Sequence, residues 1–301
     1  MNAISQVLRG IHAPVTTPFG RNGELDRSAF EHNIRAHVQH GLGIVVTGST
    51  GEAPLLDERE RASLVEWARP LVPRDRLLLA GVGAESTRAT LAHAKLAAEG
   101  GADGALVVAP HYFAGAMTDA VVRAHYVRVA DESPIPVVLY NIPKYMHYKL
   151  APALVAELAT HENIVGIKDS TGDRDLFEQY LPAQAEAFSV LTGNGTFVMP
   201  ALEMGGRGGI IAASLFAPDL VLGVARSVRN RDLATAQSLQ SRLTPLAKVI
   251  VGELGPAGIK AAMDCVGLRG GLPRLPLVPI GPGDLDRVRQ LLRDAELDVA
   301  A

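Results

Sequence analysis

The sequence predicts an α/β protein folded as a (β/α)8 TIM barrel with additional C-terminal helices. Three observations carry that expectation. Eight short, continuously apolar runs follow one another at even spacing, as parallel strands covered on both faces do. Longer amphipathic stretches with capping residues lie between them. The 301 residues contain no linker that would divide them, and one barrel routinely fills that length.

The first run is Gly10 to Val15, and the helix after it starts at Asp26, with Phe30, Ile34 and Val38 on one face. Gly43 to Gly48 is the second strand; Asp57 and Glu60 then form a capping-box pair ahead of Leu64, Val65 and Ala68. Leu77 to Val82 is followed by a helix capped by Ser86, and Gly104 to Pro110 by one capped by Thr118. Pro136 to Asn141, Ile164 to Lys168, Phe188 to Gly193 and Gly208 to Ala213 complete the set. A doubly wound sheet is the alternative, but eight evenly spaced β/α units fit closure better. The barrel and its catalytic face are expected over residues 1–218, with the eighth helix following. A helical extension packed on the barrel is expected over residues 219–301. It runs through "DLATAQSLQSRL" and "GIKAAMDCVGL", then a Pro/Gly-rich connection, then a last helix from Asp284.

Composition excludes several function classes. A net charge of -3 offers no nucleic-acid or membrane surface. No apolar run reaches the roughly 20 residues of a membrane span, and the first residues lack a signal-peptide stretch. Cys265 stands alone, and the nine histidines form no HxxxH or HxH pair, so neither disulfides nor a metal is expected. These features describe a soluble cytoplasmic protein.

Barrel chemistry sits on the loops after the C-terminal strand ends. There the chain carries "TGSTGE", "PHYF", "YNIP", "KDS" and "TGNG". Lys168 ends an apolar strand in a chain whose 29 Lys plus Arg include only six lysines. An arginine would supply charge, but only lysine also becomes a nucleophilic amine, a form favoured out of water. Such an amine attacks a ketone and forms an imine, an electron sink for making or breaking an adjacent carbon–carbon bond. The bland readings are a snorkelling Lys168, a simple Gly-rich turn, a core Tyr140, and exposed His111 and Tyr112. The functional reading of "TGSTGE" is a nest of backbone N–H groups for a carboxylate.

Taken together, "VTGSTGE", "YNIP" and "GIKDS" on strands two, five and six resemble the dihydrodipicolinate synthase / N-acetylneuraminate lyase family. These are Schiff-base-forming, pyruvate-dependent aldolases on a (β/α)8 barrel. The likeness runs from "APVTTPFGRNGELD" through "AGVGAEST" and "GGRGGII" to "GIKAAMDCVGL" and "PRLPL". It implies that Lys168 is the Schiff-base lysine and Tyr140 the proton relay. Gly48, Ser49 and Thr50 then hold the pyruvate carboxylate, and Gly193 and Ile210 line the pocket. Tyr112 matches a tyrosine that enters a neighbouring subunit's site, which implies a homotetramer built as a dimer of dimers.

Specificity departs from the family pattern. Dihydrodipicolinate synthases resemble "YN-x-P-x-R-T-G", whose arginine grips the aldehyde substrate's carboxylate. Here "YNIPKYMHYKL" puts Tyr145 at the arginine position and His147 at the glycine, so a bidentate clamp is lost. Sialic acid lyases carry Asp and Glu after the strand-seven glycine, where this chain has Gly195 and Thr196. Lys144, Tyr145 and His147 are expected to shape the distal pocket, with Lys144 either binding a distant anion or standing as a solvated cation. The resemblance therefore implies a cofactor-free lyase acting on a 2-keto-3-deoxy acid or related 2-oxo acid, by cleavage, condensation or dehydration. Dihydrodipicolinate synthesis is the alternative. From other classes come a non-covalent phosphate-binding barrel isomerase or synthase, which "GGRGG" superficially suits, and a non-catalytic binding protein.

Overall fold

The computed structural model describes residue 4 and residues 8–299. Eight parallel strands close into a barrel in chain order. They are β1 (Gly10–Pro14), β2 (Gly43–Val46), β3 (Leu78–Gly81), β4 (Gly104–Val108), β5 (Val137–Asn141), β6 (Ile164–Asp169), β7 (Ser189–Thr192) and β8 (Gly208–Ile210). The chain is thus a (β/α)8 barrel with additional C-terminal helices. Each run read as a strand forms one, but most ladders stop before the apolar run does. The second ends at Val46 rather than Gly48 because Thr47 turns to φ 52. The eighth ends at Ile210 rather than Ala213, because a 3-10 turn over Ala212–Leu215 takes the chain out of the ladder. The sixth runs one residue further than expected, to Asp169, which pairs with both neighbouring strands.

The helices are α1 (Arg27–Gln39), α2 (Glu58–Ala68), α3 (Thr87–Glu99), α4 (Asp119–Glu132), α5 (Pro143–Met146) and α6 (Pro152–Leu158). Then come α7 (Arg174–Tyr180), α8 (Val198–Glu203), α9 (Pro218–Arg229), α10 (Leu233–Leu246), α11 (Gly255–Cys265) and α12 (Pro282–Asp294). The caps the sequence signals are in place, and Asp173 and Asp232 cap two further helices. Asp26, Ser86 and Thr118 each accept a backbone N–H of their helix's first turn, and Asp57 and Glu60 close a capping box. The last helix begins at Pro282, not Asp284; proline's fixed φ suits a first turn. Between α10 and α11 the chain winds as a π-helix over Ala247–Glu253. Among the described residues no helix is long and apolar enough to cross a membrane.

Two packed layers make the core: strand side chains inside the barrel, and helix faces such as Phe30 and Ile34 of α1 against its outside. Their burial fixes the strand ends, and so the residues that meet at the C-terminal mouth.

Candidate active site

Strands β5 and β6 pair in register so that Tyr140 stands opposite Lys168 and Asn141 opposite Asp169. Lys168 and Tyr140 are each 5% exposed, and the lysine Nζ lies 4.1 Å from the tyrosine ring centroid. That places an amine and a phenol side by side at the mouth, with the ring face over the nitrogen.

The lysine's path explains Gly193. A Cβ at that position would meet Lys168 Cε at 2.6 Å and Ser170 Oγ at 2.0 Å, so no other residue leaves the side chain its space. Behind the pair lies a buried polar brace. Asp169 accepts from Asn141 Nδ2 at 2.7 Å and from Thr171 Oγ1 at 2.6 Å. Asn141 Oδ1 accepts in turn from the Leu150 N–H at 3.1 Å. Burial pushes the Asp169 carboxyl above its usual range, and the two donors partly restore it.

The turn after β2 closes the other side. Gly51 N and Ala53 N donate to Gly48 O, Glu52 N donates to Ser49 O, and Thr17 Oγ1 donates to Gly51 O at 2.7 Å. Ser49 and Thr50 are left half-buried and facing the mouth. The turn is bounded by two non-glycine residues with left-handed backbone, Thr47 at φ 52 and Glu52 at φ 56. Each such residue costs on the order of 1–3 kcal/mol and persists only where its surroundings hold it. Thr47 is held by its hydroxyl on Gly81 O at 2.9 Å. Glu52 is held by Lys260, whose Nζ lies 2.5 Å from Oε1, and by the Arg274 N–H on Oε2 at 2.9 Å. Burial lowers the pKa of Lys260, and Glu52 opposes the shift.

Two adjoining cavities share Ser49, Tyr140, Lys144, Tyr145 and Pro256. The first, of about 360 Å³, is also lined by Thr50, Lys168, Gly193 and Ile210. The second, of about 670 Å³, adds Gly48 and His147. Every residue the resemblance places in the site therefore lines one of these cavities except Tyr112, which is 78% exposed beside an exposed Phe113 and lines neither. A larger cavity of about 880 Å³ lies between α3 and α4 and contains none of these residues.

At the distal end, Lys144 donates to Gly252 O at 2.7 Å and so ties α5 to the π-helix. Burial, with the Tyr140 phenol nearby, pushes the Tyr145 hydroxyl up, which leaves it a neutral hydrogen-bonding group, not a cation. His147 keeps φ 62, the glycine-type backbone of the position it occupies. Sequence reasoning missed Asp169, Asn141 and the Glu52–Lys260 pair, together with the wall built by Ala247, Val251, Pro256 and Ile259. The signal for Lys260 was the one that exposed Lys168: a rare lysine within an apolar stretch, "GIKAAM".

A (β/α)8 barrel carrying a buried lysine against a tyrosine at its mouth has the groups that a class I lyase of the Schiff-base type uses. The chain belongs to the Dihydrodipicolinate synthetase family, whose sequence model matches residues 7–295. It is 35% identical over 272 residues to a 4-hydroxy-tetrahydrodipicolinate synthase of Exiguobacterium sp., covering 90% of this chain and 92% of that one. It is 34% identical over 290 residues to the synthase of Methanoculleus marisnigri, covering 95% and 99%. Among solved structures, dihydrodipicolinate synthase from Aquifex aeolicus superposes with TM-score 0.90 at 32% identity, covering 97% of this chain and 99% of that one. YagE, a prophage protein of the family from E. coli K12 solved with pyruvate, gives TM-score 0.90 at 29% identity over 96% and 99%.

Proposed function

We propose that the chain is a cytoplasmic, pyruvate-dependent lyase that joins Lys168 to the ketone of a 2-oxo acid and acts on a 2-keto-3-deoxy acid or a relative of one. The observation that carries this reading is the buried Lys168 Nζ 4.1 Å from the Tyr140 ring, in a cavity edged by the Ser49–Thr50 turn. The neutral amine adds to the ketone carbon to give a carbinolamine. Tyr140 passes a proton to the departing hydroxyl, water leaves, and a protonated imine remains. The hydroxyl of the departing fragment gives its proton to the Tyr140 phenolate and becomes an aldehyde carbonyl as the carbon–carbon bond one atom from the imine carbon breaks; the imine takes that bond's electron pair and becomes an enamine, and run backwards the enamine attacks the aldehyde. Hydroxyls and N–H groups of Ser49 and Thr50 hold the carboxylate beside the reacting centre. Gly48, Gly193 and Ile210 shape the space around it, and Lys144, Tyr145 and His147 border the distal end. Tyr112 serves a neighbouring copy, and the assembly is a homotetramer.

A second reading is dihydrodipicolinate synthesis from pyruvate and aspartate semialdehyde, which the names of the relatives favour. Tyr145 weighs against it. A charge-assisted contact to the aldehyde's carboxylate is worth about 1.5–3 kcal/mol, and a neutral phenol recovers only part of that. Two experiments decide. Borohydride with saturating pyruvate is expected to add covalent mass at Lys168 and at no other lysine; an adduct at Lys144, or none, refutes the Schiff-base assignment. A panel of aldehydes with pyruvate, run beside a panel of 2-keto-3-deoxy acids, separates the substrates. Aspartate semialdehyde as best acceptor by a wide margin would establish the second reading.

A further inference from the structure

The turn that presents Ser49 and Thr50 is braced from the far end of the chain. Glu52 closes that turn in a left-handed conformation, φ 56 and ψ 37, that its own local sequence does not favour. Its carboxylate is held by the C-terminal segment through an ion pair on Oε1 and a hydrogen bond on Oε2. Lys260 of α11 reaches Oε1 at 2.5 Å, with the two side chains 1% and 0% exposed. The Arg274 N–H donates to Oε2 at 2.9 Å. Lys260 is itself fixed by donating to Leu272 O at 2.7 Å. Arg274 is fixed by Glu60, by Leu55 O at 2.8 Å and by Gly23 O at 2.6 Å. The Phe19 ring packs against both cations, 4.7 Å from Lys260 Nζ and 4.2 Å from the Arg274 guanidinium carbon. Pro256 and Ile259, one turn before Lys260 and directly beside it, line the cavity that holds Lys168.

We propose that Glu52 and Lys260 are positioning residues for 2-oxo acid binding: their buried ion pair sets the Ser49–Thr50 turn in its ligand-ready shape, so the C-terminal helices are part of the substrate site. Neither residue touches the reacting atoms. The pair acts through the backbone of Gly48 to Glu52, whose N–H groups and hydroxyls meet the carboxylate. A brace of this kind changes how tightly the acid is held and leaves the chemistry at Lys168 alone. The inference rests on the carboxylate role given to Ser49 and Thr50.

The test uses Glu52→Gln/Lys260→Met in the full-length chain, because removing both charges leaves no orphaned ion. Borohydride trapping at Lys168 is measured against pyruvate concentration, beside kcat and KM for the best substrate of the panel. The half-saturating pyruvate concentration is expected to rise roughly tenfold or more, the scale on which lost orientation is felt. Adduct yield at saturation and kcat are expected to stay within about twofold of wild type. A folded double variant with wild-type half-saturation overturns the proposal, and so does one that loses kcat at unchanged half-saturation. Glu52→Asp keeps the charge but withdraws it by one methylene; it carries the same expectations and the same refutations if the double variant does not fold. Wild-type protein that traps no pyruvate overturns the Schiff-base reading and this inference with it. Trapping by wild type with unchanged half-saturation in the variants overturns this inference alone.

Discussion

Gly193→Ala tests the pose of the lysine through a single methyl group. The new Cβ would lie 2.6 Å from Lys168 Cε, where ordinary contact begins at 3.4 Å. Ser170 Oγ, at 2.0 Å, can rotate away, since it ends a short side chain. The lysine cannot move so freely, because it is 5% exposed and lies along the Tyr140 ring. Its end must therefore retreat by about 0.8 Å, which is the misplacement that costs roughly tenfold to a hundredfold in rate at a reacting centre. Overpacking of this kind costs about 1–3 kcal/mol of stability. Trapping kinetics with pyruvate and borohydride, followed by mass at Lys168, would read the first effect, and thermal unfolding the second. Gly283→Ala is the control: its Cβ meets nothing within 4 Å, it sits in the first turn of α12, and it lines neither cavity at the mouth. A Gly193→Ala protein that traps pyruvate at the wild-type rate would refute the reasoning, because the lysine would then not run past Gly193.

Lys168→Arg should keep the fold and lose all pyruvate trapping, since a guanidinium stays protonated; residual turnover above background would sink the covalent mechanism. Gly48→Ala should leave the melting temperature unchanged, because its Cβ meets nothing within 4 Å, yet raise KM for pyruvate if the acid approaches that backbone; an unchanged KM removes Gly48 from the site. Light scattering should find a mass well above the 31.8 kDa of one chain, and a fully active monomer would remove Tyr112 from any neighbour's site. Stability should fall steeply on acidification. Burial holds His12 near pH 4, His37 near 3 and His125 near 4, all from 6.5. Their contribution is full above pH 6.5 and is lost as pH falls towards about 4, because the unfolded chain takes the protons first. Three such groups give a slope of about 4 kcal/mol per pH unit, so flat denaturant midpoints from pH 6.5 to 4.5 would contradict their burial as neutral rings.

The sequence by itself determined the strands and the capped helices between the first of them, and it singled out Lys168, with Tyr140 added by the family resemblance. Continuous apolar runs identify strands buried on both faces, and Asp26, Asp57, Ser86 and Thr118 mark helix starts, because capping is a contact between residues three apart. Lys168 stood out because a lysine at the end of an apolar strand is costly to bury. Only the tertiary structure decided what lies around it. Barrel closure sets the register that faces Tyr140 with Lys168, and that register depends on how whole strands bury, not on any local preference. It also gives Gly193 its reason, by laying the lysine stem across it. The Arg274 bond to Glu52 spans 222 residues, and the Lys144 bond to Gly252 spans 108. No periodicity along the chain encodes partners so distant. They meet because the C-terminal helices fold back over the mouth, where buried charges must find each other or remain unpaired out of water.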